Sequence, residues 1–107
     1  MNIGLTQTDI ESIIDVLRKF KEIKKAVIFG SRAKGNYKAG SDIDIAIYGN
    51  DITFDVISSL HWALEEESSL PYFFDIVDYT HLEHKELKAH IDRVGVIFYE
   101  KKRRELD

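Results

Sequence analysis

The sequence contains no cysteine, which removes disulfide scaffolds, iron–sulfur clusters, thiolate zinc sites and cysteine nucleophiles together. Tertiary structure has to come from packing alone. Long apolar runs are also missing: nothing approaches the roughly 18 residues of a transmembrane helix. Residues Met1 to Gly4 lack the basic-then-apolar pattern of a secretory signal, so a cytoplasmic protein without a membrane anchor is expected. Basic charge is in deficit, with 15 Lys and Arg against 19 Asp and Glu for a formal charge of −4. That balance argues against broad electrostatic binding of nucleic acid, while a local basic patch can still hold an anionic ligand. What remains is 107 residues, 44% hydrophobic and 32% charged, the composition of one globular domain spanning 1–107. A chain of that length buries roughly two thirds of its unfolded surface.

Periodicity places the elements. Thr8 and Glu11 make a T-x-x-E capping box, and Ile10, Ile13, Ile14, Leu17 and Phe20 follow on one side of a helix running to about Lys21. Ala26 to Phe29 is a short apolar run stopped by Gly30, as in a strand covered on both faces. From Asp42 to Tyr48 the pattern alternates, with Ile43, Ile45 and Ile47 on one side and Asp42, Asp44, Ala46 and Tyr48 on the other. Thr53 caps a helix bearing Phe54, Ile57, Leu60 and Leu64, which ends near the acidic run Glu65 to Glu67. Pro71, the one proline, bars its continuation. Tyr72 to Tyr79 reads as a strand, Leu82 to Val94 as a helix stopped by Gly95, and Val96 to Tyr99 as a last strand. The stretch Ser31 to Ser41 is the one long irregular connection, a common place for function.

Two features carry chemistry. Asp42 and Asp44 share a strand face with α-carbons about 6.5–7 Å apart. Paired anions on a half-buried strand repel unless a cation sits between them, and hard oxygen ligands favour magnesium or manganese. The stretch Gly30-Ser31-Arg32-Ala33-Lys34-Gly35 follows a buried strand directly, where a tight turn exposes backbone N–H groups to phosphate. Gly30 permits close approach, the Ser31 hydroxyl can donate, and Arg32 or Lys34 can neutralise charge. The spacing is neither that of a P-loop nor that of a dinucleotide-binding G-x-G-x-x-G.

Together, Gly30-Ser31 and the later Ser41-Asp42-Ile43-Asp44 resemble the signature of the DNA polymerase beta-like nucleotidyltransferase superfamily, in particular its minimal nucleotidyltransferase branch. Gly30 to Gly35 is similar to that branch's G-S-R-A-R-G, with Lys34 in place of arginine, and Ser41 to Ile45 to its S-D-x-D-L/I. The resemblance implies the nucleotidyltransferase fold, an α/β (α+β) domain with a small mixed sheet, helices mainly on one face and the metal site on the other. It implies two magnesium ions held by Asp42, Asp44 and a third carboxylate, and a nucleotide-binding set of Gly30, Ser31, Arg32, Lys34 and Ser41. Asp75 and Asp78 are both available as the third acid. They face opposite sides of a strand, so only one can converge with the pair. Phe74 and Ile76 pack with the helices if Asp75 faces the site, and Asp75 is therefore expected, with Asp78 solvated at the strand end.

Free-standing members of this branch often accompany a helical HEPN-domain toxin as its antitoxin. The resemblance thus implies transfer of AMP from ATP to a tyrosine of the partner toxin. The alternative is an inactive module that keeps the fold and neutralises its partner sterically; modification of a small alcohol is a third reading, disfavoured because no added domain encloses one. His81, His84 and His90 make a poor zinc site without cysteine, and His84 falls on the stripe with Leu87, Ile91 and Val94 as a partly buried residue. Glu65 to Glu67 reads as a solvated helix end and Lys101 to Arg104 as a solvated basic terminus. Trp62 lies opposite the apolar stripe of its helix, either as an interface anchor or covered by the tail or a loop.

Overall fold

Ile43, Ile45 and Ile47, all without solvent exposure, form the spine of the molecule. In the computed structural model, which describes residues 3–38 and 40–101, they belong to strand β2 (Ile43–Tyr48) at the centre of a four-stranded sheet. β1 (Lys25–Phe29) pairs antiparallel with β2, placing Lys25 opposite Tyr48 and Phe29 opposite Asp44. β3 (Phe74–Asp78) lies parallel on the other side of β2, and β4 (Val96–Glu100) antiparallel on the far side of β1. The order is β3-β2-β1-β4, so the apolar run Ala26 to Phe29 is an interior strand buried on both faces, as its composition requires.

Helix α1 (Gln7–Arg18), helix α3 (Phe54–Trp62) and the π-helical turn continuing it (Ala63–Glu67) cover one face. Ile13, Leu17, Leu60 and Leu64 are fully buried there against the three isoleucines and Ile28. Helix α4 (Lys85–Val94) covers part of the other face, where Ile91 packs with Val27, Phe29 and Ala46. The mixed sheet with helices mainly on one face is thus as expected, with α4 the exception. Ala46 is fully buried beneath α4, whereas Asp44 on the same side of β2 is half-buried. A five-residue helix, α2 (Gly30–Lys34), occupies the first half of the connection that sequence shows as irregular. Among the described residues no helix is long and apolar enough to cross a membrane.

Several local expectations shift. The first capping box is Thr6 with Asp9, not Thr8 with Glu11, and α1 ends at Arg18. Both Thr-x-x-acid pairs are locally competent, but Asp9 also accepts a hydrogen bond of 2.8 Å from the Tyr72 hydroxyl, a tertiary contact that favours the earlier start. Phe54 is 81% exposed, because the buried stripe of its helix runs through Val56, Leu60 and Leu64 and Phe54 lies about 120° from its centre. Glu65 is not a solvated end: the π-helical turn swings it inward to accept from His61 Nε2 at 2.9 Å and from the backbone N–H of Phe74 at 2.7 Å. His84 is exposed and is the N-cap of α4, its Nδ1 accepting from the Leu87 N–H. The basic terminus beyond Lys101 lies outside the described residues.

Candidate active site

Asp44 stands at the centre of the site, opposite Phe29 of β1 on one side and opposite Asp75 of β3 on the other. Registered neighbours on adjacent strands share a face and lie about 4.8 Å apart. Asp42, two residues earlier, falls on the same side by the pleat. The three carboxylates act on one another. Burial pushes the Asp44 carboxyl up to about 6, with the negative charges of Asp75 and Asp42 adding to the effect and the Arg32 cation opposing it. Asp78 is opposite Ile47, on the other face, where its carboxylate meets His81 Nδ1 at 2.7 Å. Asp75 is therefore the acid that joins the pair, and Asp78 is held by a histidine instead of being freely solvated.

The glycine bend touches this cluster. Gly30 has φ +75°, and a Cβ built on it would lie 2.1 Å from Asp44 Oδ2. Only glycine fits, for two independent reasons: the left-handed backbone and the carboxylate lying against its α-carbon. Ser31 is the next residue, in the first turn of α2, which Gly35 ends in the left-handed region with its N–H donating to the Arg32 carbonyl at 3.2 Å. Lys34 is exposed on this turn.

Arg32 behaves differently from the expectation that it faces phosphate. It is 2% exposed, and its guanidinium donates to the Ser41 carbonyl at 2.8 and 3.2 Å, to the Ile3 carbonyl at 2.9 Å and to that of Gly4 at 3.4 Å. The rings of Tyr37 and Tyr72 each lie 5.3 Å from it. Its donors are committed to carbonyls, so it fastens the residue before Asp42 to the amino-terminal segment. Ser41 is committed as well, its hydroxyl donating to the Lys38 carbonyl at 2.6 Å and accepting from the Lys38 N–H at 2.9 Å. Both residues build the loop that delivers Asp42. Of the expected nucleotide-binding set, Gly30, Ser31 and Lys34 remain as candidates for an anion contact.

Among the described residues no three acidic or imidazole side chains are gathered tightly enough to enclose a metal by themselves. Magnesium is usually held by one or two carboxylates, with water and substrate phosphate completing its shell. Asp42, Asp44 and Asp75 are hard oxygen donors of the type that ion takes. His90 stacks edge-on to Phe29 at 6.1 Å and His81 is paired with Asp78, so the histidines serve the fold.

Beside Asp75 a cleft of about 350 Å³ opens between α3 and the β3 edge, walled by Ile57, Trp62 and Ile76. A larger groove of about 530 Å³ lies between α1 and α3, with none of the site residues on its walls. Trp62 borders both and is 59% exposed, so no described loop covers it. Glu65 and the cleft have only faint sequence signals: the i, i+4 spacing from His61, and a tryptophan among polar neighbours.

The fold thus brings together Asp44 and Asp75 on paired strands, Asp42 just before β2, and a glycine–serine bend pressed against Asp44. Residues 11–104 match the family model described as polymerase beta, nucleotidyltransferase, and the chain belongs to that family. A protein of Methanocaldococcus jannaschii named as a protein adenylyltransferase is 43% identical over 53 residues, 48% of this chain and 52% of the relative. The chain thus spans about half the length of that curated relative. A crystal structure of a toxin–antitoxin with AMP-PNP superposes with a TM-score of 0.72 at 24% identity, over 90% of this chain and 77% of the other. A tri-AMPylated Shewanella oneidensis HEPN toxin in complex with its MNT antitoxin gives 0.69 at 22% identity, over 94% and 77%. At these identities the structures establish a common fold.

Proposed function

We propose that the chain is an antitoxin adenylyltransferase, which transfers AMP from ATP to a tyrosine hydroxyl of a partner HEPN toxin. The observation carrying this reading is the contact between the two halves of the site: the Gly30 α-carbon lies against the carboxylate of Asp44, which faces Asp75 across the strand pair. Support for the acceptor comes from the adenylyltransferase relative and the toxin–antitoxin structures that share the fold.

Asp42, Asp44 and Asp75 would hold two magnesium ions, which when bound neutralise the triphosphate and favour ionisation of the attacking hydroxyl. Gly30 and Ser31 orient the β- and γ-phosphates through backbone N–H groups and the hydroxyl, and Lys34 adds positive charge at that rim. The acceptor oxygen forms its bond to the α-phosphorus as the bond to the β-phosphate oxygen breaks, and pyrophosphate leaves. The acceptor's proton passes to the Asp75 carboxylate. Arg32 and Ser41 keep Asp42 in place throughout.

Intact-mass spectrometry of the partner after incubation with magnesium-ATP tests the reading. One added AMP per modified tyrosine is expected, and none with a combined Asp42→Asn and Asp44→Asn variant. Full neutralisation of the toxin by that double variant, with no adduct from any nucleotide, would establish a steric module in its place.

A further inference from the structure

We propose that the cleft beside Asp75 is the acceptor subsite, and that it takes an extended, neutral or basic polypeptide segment whose tyrosine ring lies against Trp62. This rests on the transferase reading for the role of Asp75, but the placement comes from features outside the three acids.

The carboxylate row has two unlike flanks. On the β1 side are the glycine bend, Ser31 and Lys34, with the Arg32 cation behind them. On the β3 side the cleft is lined by Ile57, Trp62, Phe74 and Ile76, with Glu66 and Asp75 as its acids, His61 engaged by Glu65 at 2.9 Å, and no lysine or arginine. A triphosphate carrying about four negative charges is drawn to the first flank and repelled from the second. What enters the second flank must be apolar in part and not anionic.

Backbone geometry then selects an extended segment. β3 is an edge strand. The Ile43 N–H donates to the Phe73 carbonyl and the Tyr79 N–H to the Ile47 carbonyl, so odd-numbered residues of this stretch turn their backbone groups toward β2. Even-numbered residues turn theirs outward. The first outward N–H, that of Phe74, is taken by the Glu65 carboxylate, whereas Ile76 presents its N–H and carbonyl along the edge. A peptide that adds to this edge gains main-chain hydrogen bonds at Ile76 and directs alternate side chains into the neighbouring pocket. The aromatic wall is Trp62, 59% exposed, and an offset ring pair is a favourable contact for a tyrosine. Asp75 lines the same cleft as Trp62, so a tyrosine seated there shares the cleft with that carboxylate, on the far side of Asp44 from the glycine bend.

Trp62 is the only tryptophan of the chain, so its fluorescence reports the cleft directly. The probe is a seven-residue peptide of alternating threonine and valine around a central tyrosine, with lysine at both ends, added to the full chain without nucleotide. A saturable shift of Trp62 emission is expected, together with displacement of the Ile76 amide resonance. Glutamate in place of the terminal lysines should weaken binding at least tenfold, as should Ser58→Phe, which fills the cleft from the exposed flank of α3 and leaves Trp62 the sole fluorescent indole. Trp62→Ala should raise the KM for a protein acceptor tenfold or more and leave the affinity for magnesium-ATP unchanged. Silence of both Trp62 and Ile76 with the peptide, or a shift of Trp62 with magnesium-ATP alone, overturns the assignment. The two readings fail separately. A peptide shift that survives while no AMP is transferred to any acceptor sinks the transferase reading and supports the cleft. Transfer that proceeds with an unchanged acceptor KM in Trp62→Ala sinks the cleft alone.

Discussion

Replacing Asp44 by asparagine should make the protein more stable at neutral pH while abolishing nucleotidyl transfer. The carboxyl is raised from its ordinary 3.8 to about 6, chiefly by burial and then by its two acidic neighbours. An acid whose folded pKa exceeds its unfolded one favours the fold only while protonated: the contribution is complete below pH 3.8 and lost as pH rises through about 6. The difference corresponds to about 3 kcal/mol, and solvent screening at a partly open site reduces what folding feels to about 1–2 kcal/mol. The substituted amide carries no charge at any pH and keeps the shape that fits against Gly30. In urea at pH 7.5 without divalent ions, Asp44→Asn is therefore expected to gain about 1–2 kcal/mol, or roughly 5–10 °C in Tm. The gain should vanish near pH 3.8, where wild-type Asp44 is protonated. Millimolar magnesium and ATP should narrow the gap by stabilising only the wild type. A variant less stable than wild type at pH 7.5, or a gap that does not close on acidification, would refute the electrostatic account.

Other perturbations probe the supports. Gly30→Ala meets both a left-handed backbone and the Asp44 carboxylate, and should lose about 2 kcal/mol or more in denaturant unfolding along with nearly all transfer. Arg32→Met leaves the carbonyls of Ile3, Gly4 and Ser41 without their buried donor, an expected loss of about 2–4 kcal/mol by urea midpoint. Lysine at the same position should recover only part of it, because it cannot reach both sides of the loop with a planar fork. Glu65→Ala removes the acceptor for the Phe74 N–H, so hydrogen exchange at that amide should accelerate by about tenfold with a stability loss of about 1–2 kcal/mol.

The strands were legible because their periodicity is local. Ile43, Ile45 and Ile47 fix which side of β2 is core, and that alone puts Asp42 and Asp44 together on the other side. Asp75 over Asp78 followed from the same parity and agrees with the register of β3 on β2. What could not be read depends on contacts between distant segments. Arg32 in a glycine-bounded basic loop looks like a phosphate ligand until Ile3 and Ser41 are seen to surround it. Thr6 prevails over Thr8 as a cap through a bond to Tyr72, 63 residues from Asp9. The π-helical turn at Ala63–Glu67 has no periodic signature of its own, yet it redirects Glu65 from solvent to the start of β3.

Because the Gly30 backbone rests on the Asp44 side chain, the proposed cradle for the triphosphate and the proposed anchor for its counter-ions form one mechanical body. Neither can be retuned alone. An engineer who transplants the bend from a relative to alter donor choice must carry over the adjoining strand with it, and gradual drift in one half is tolerated only when the other half drifts in step.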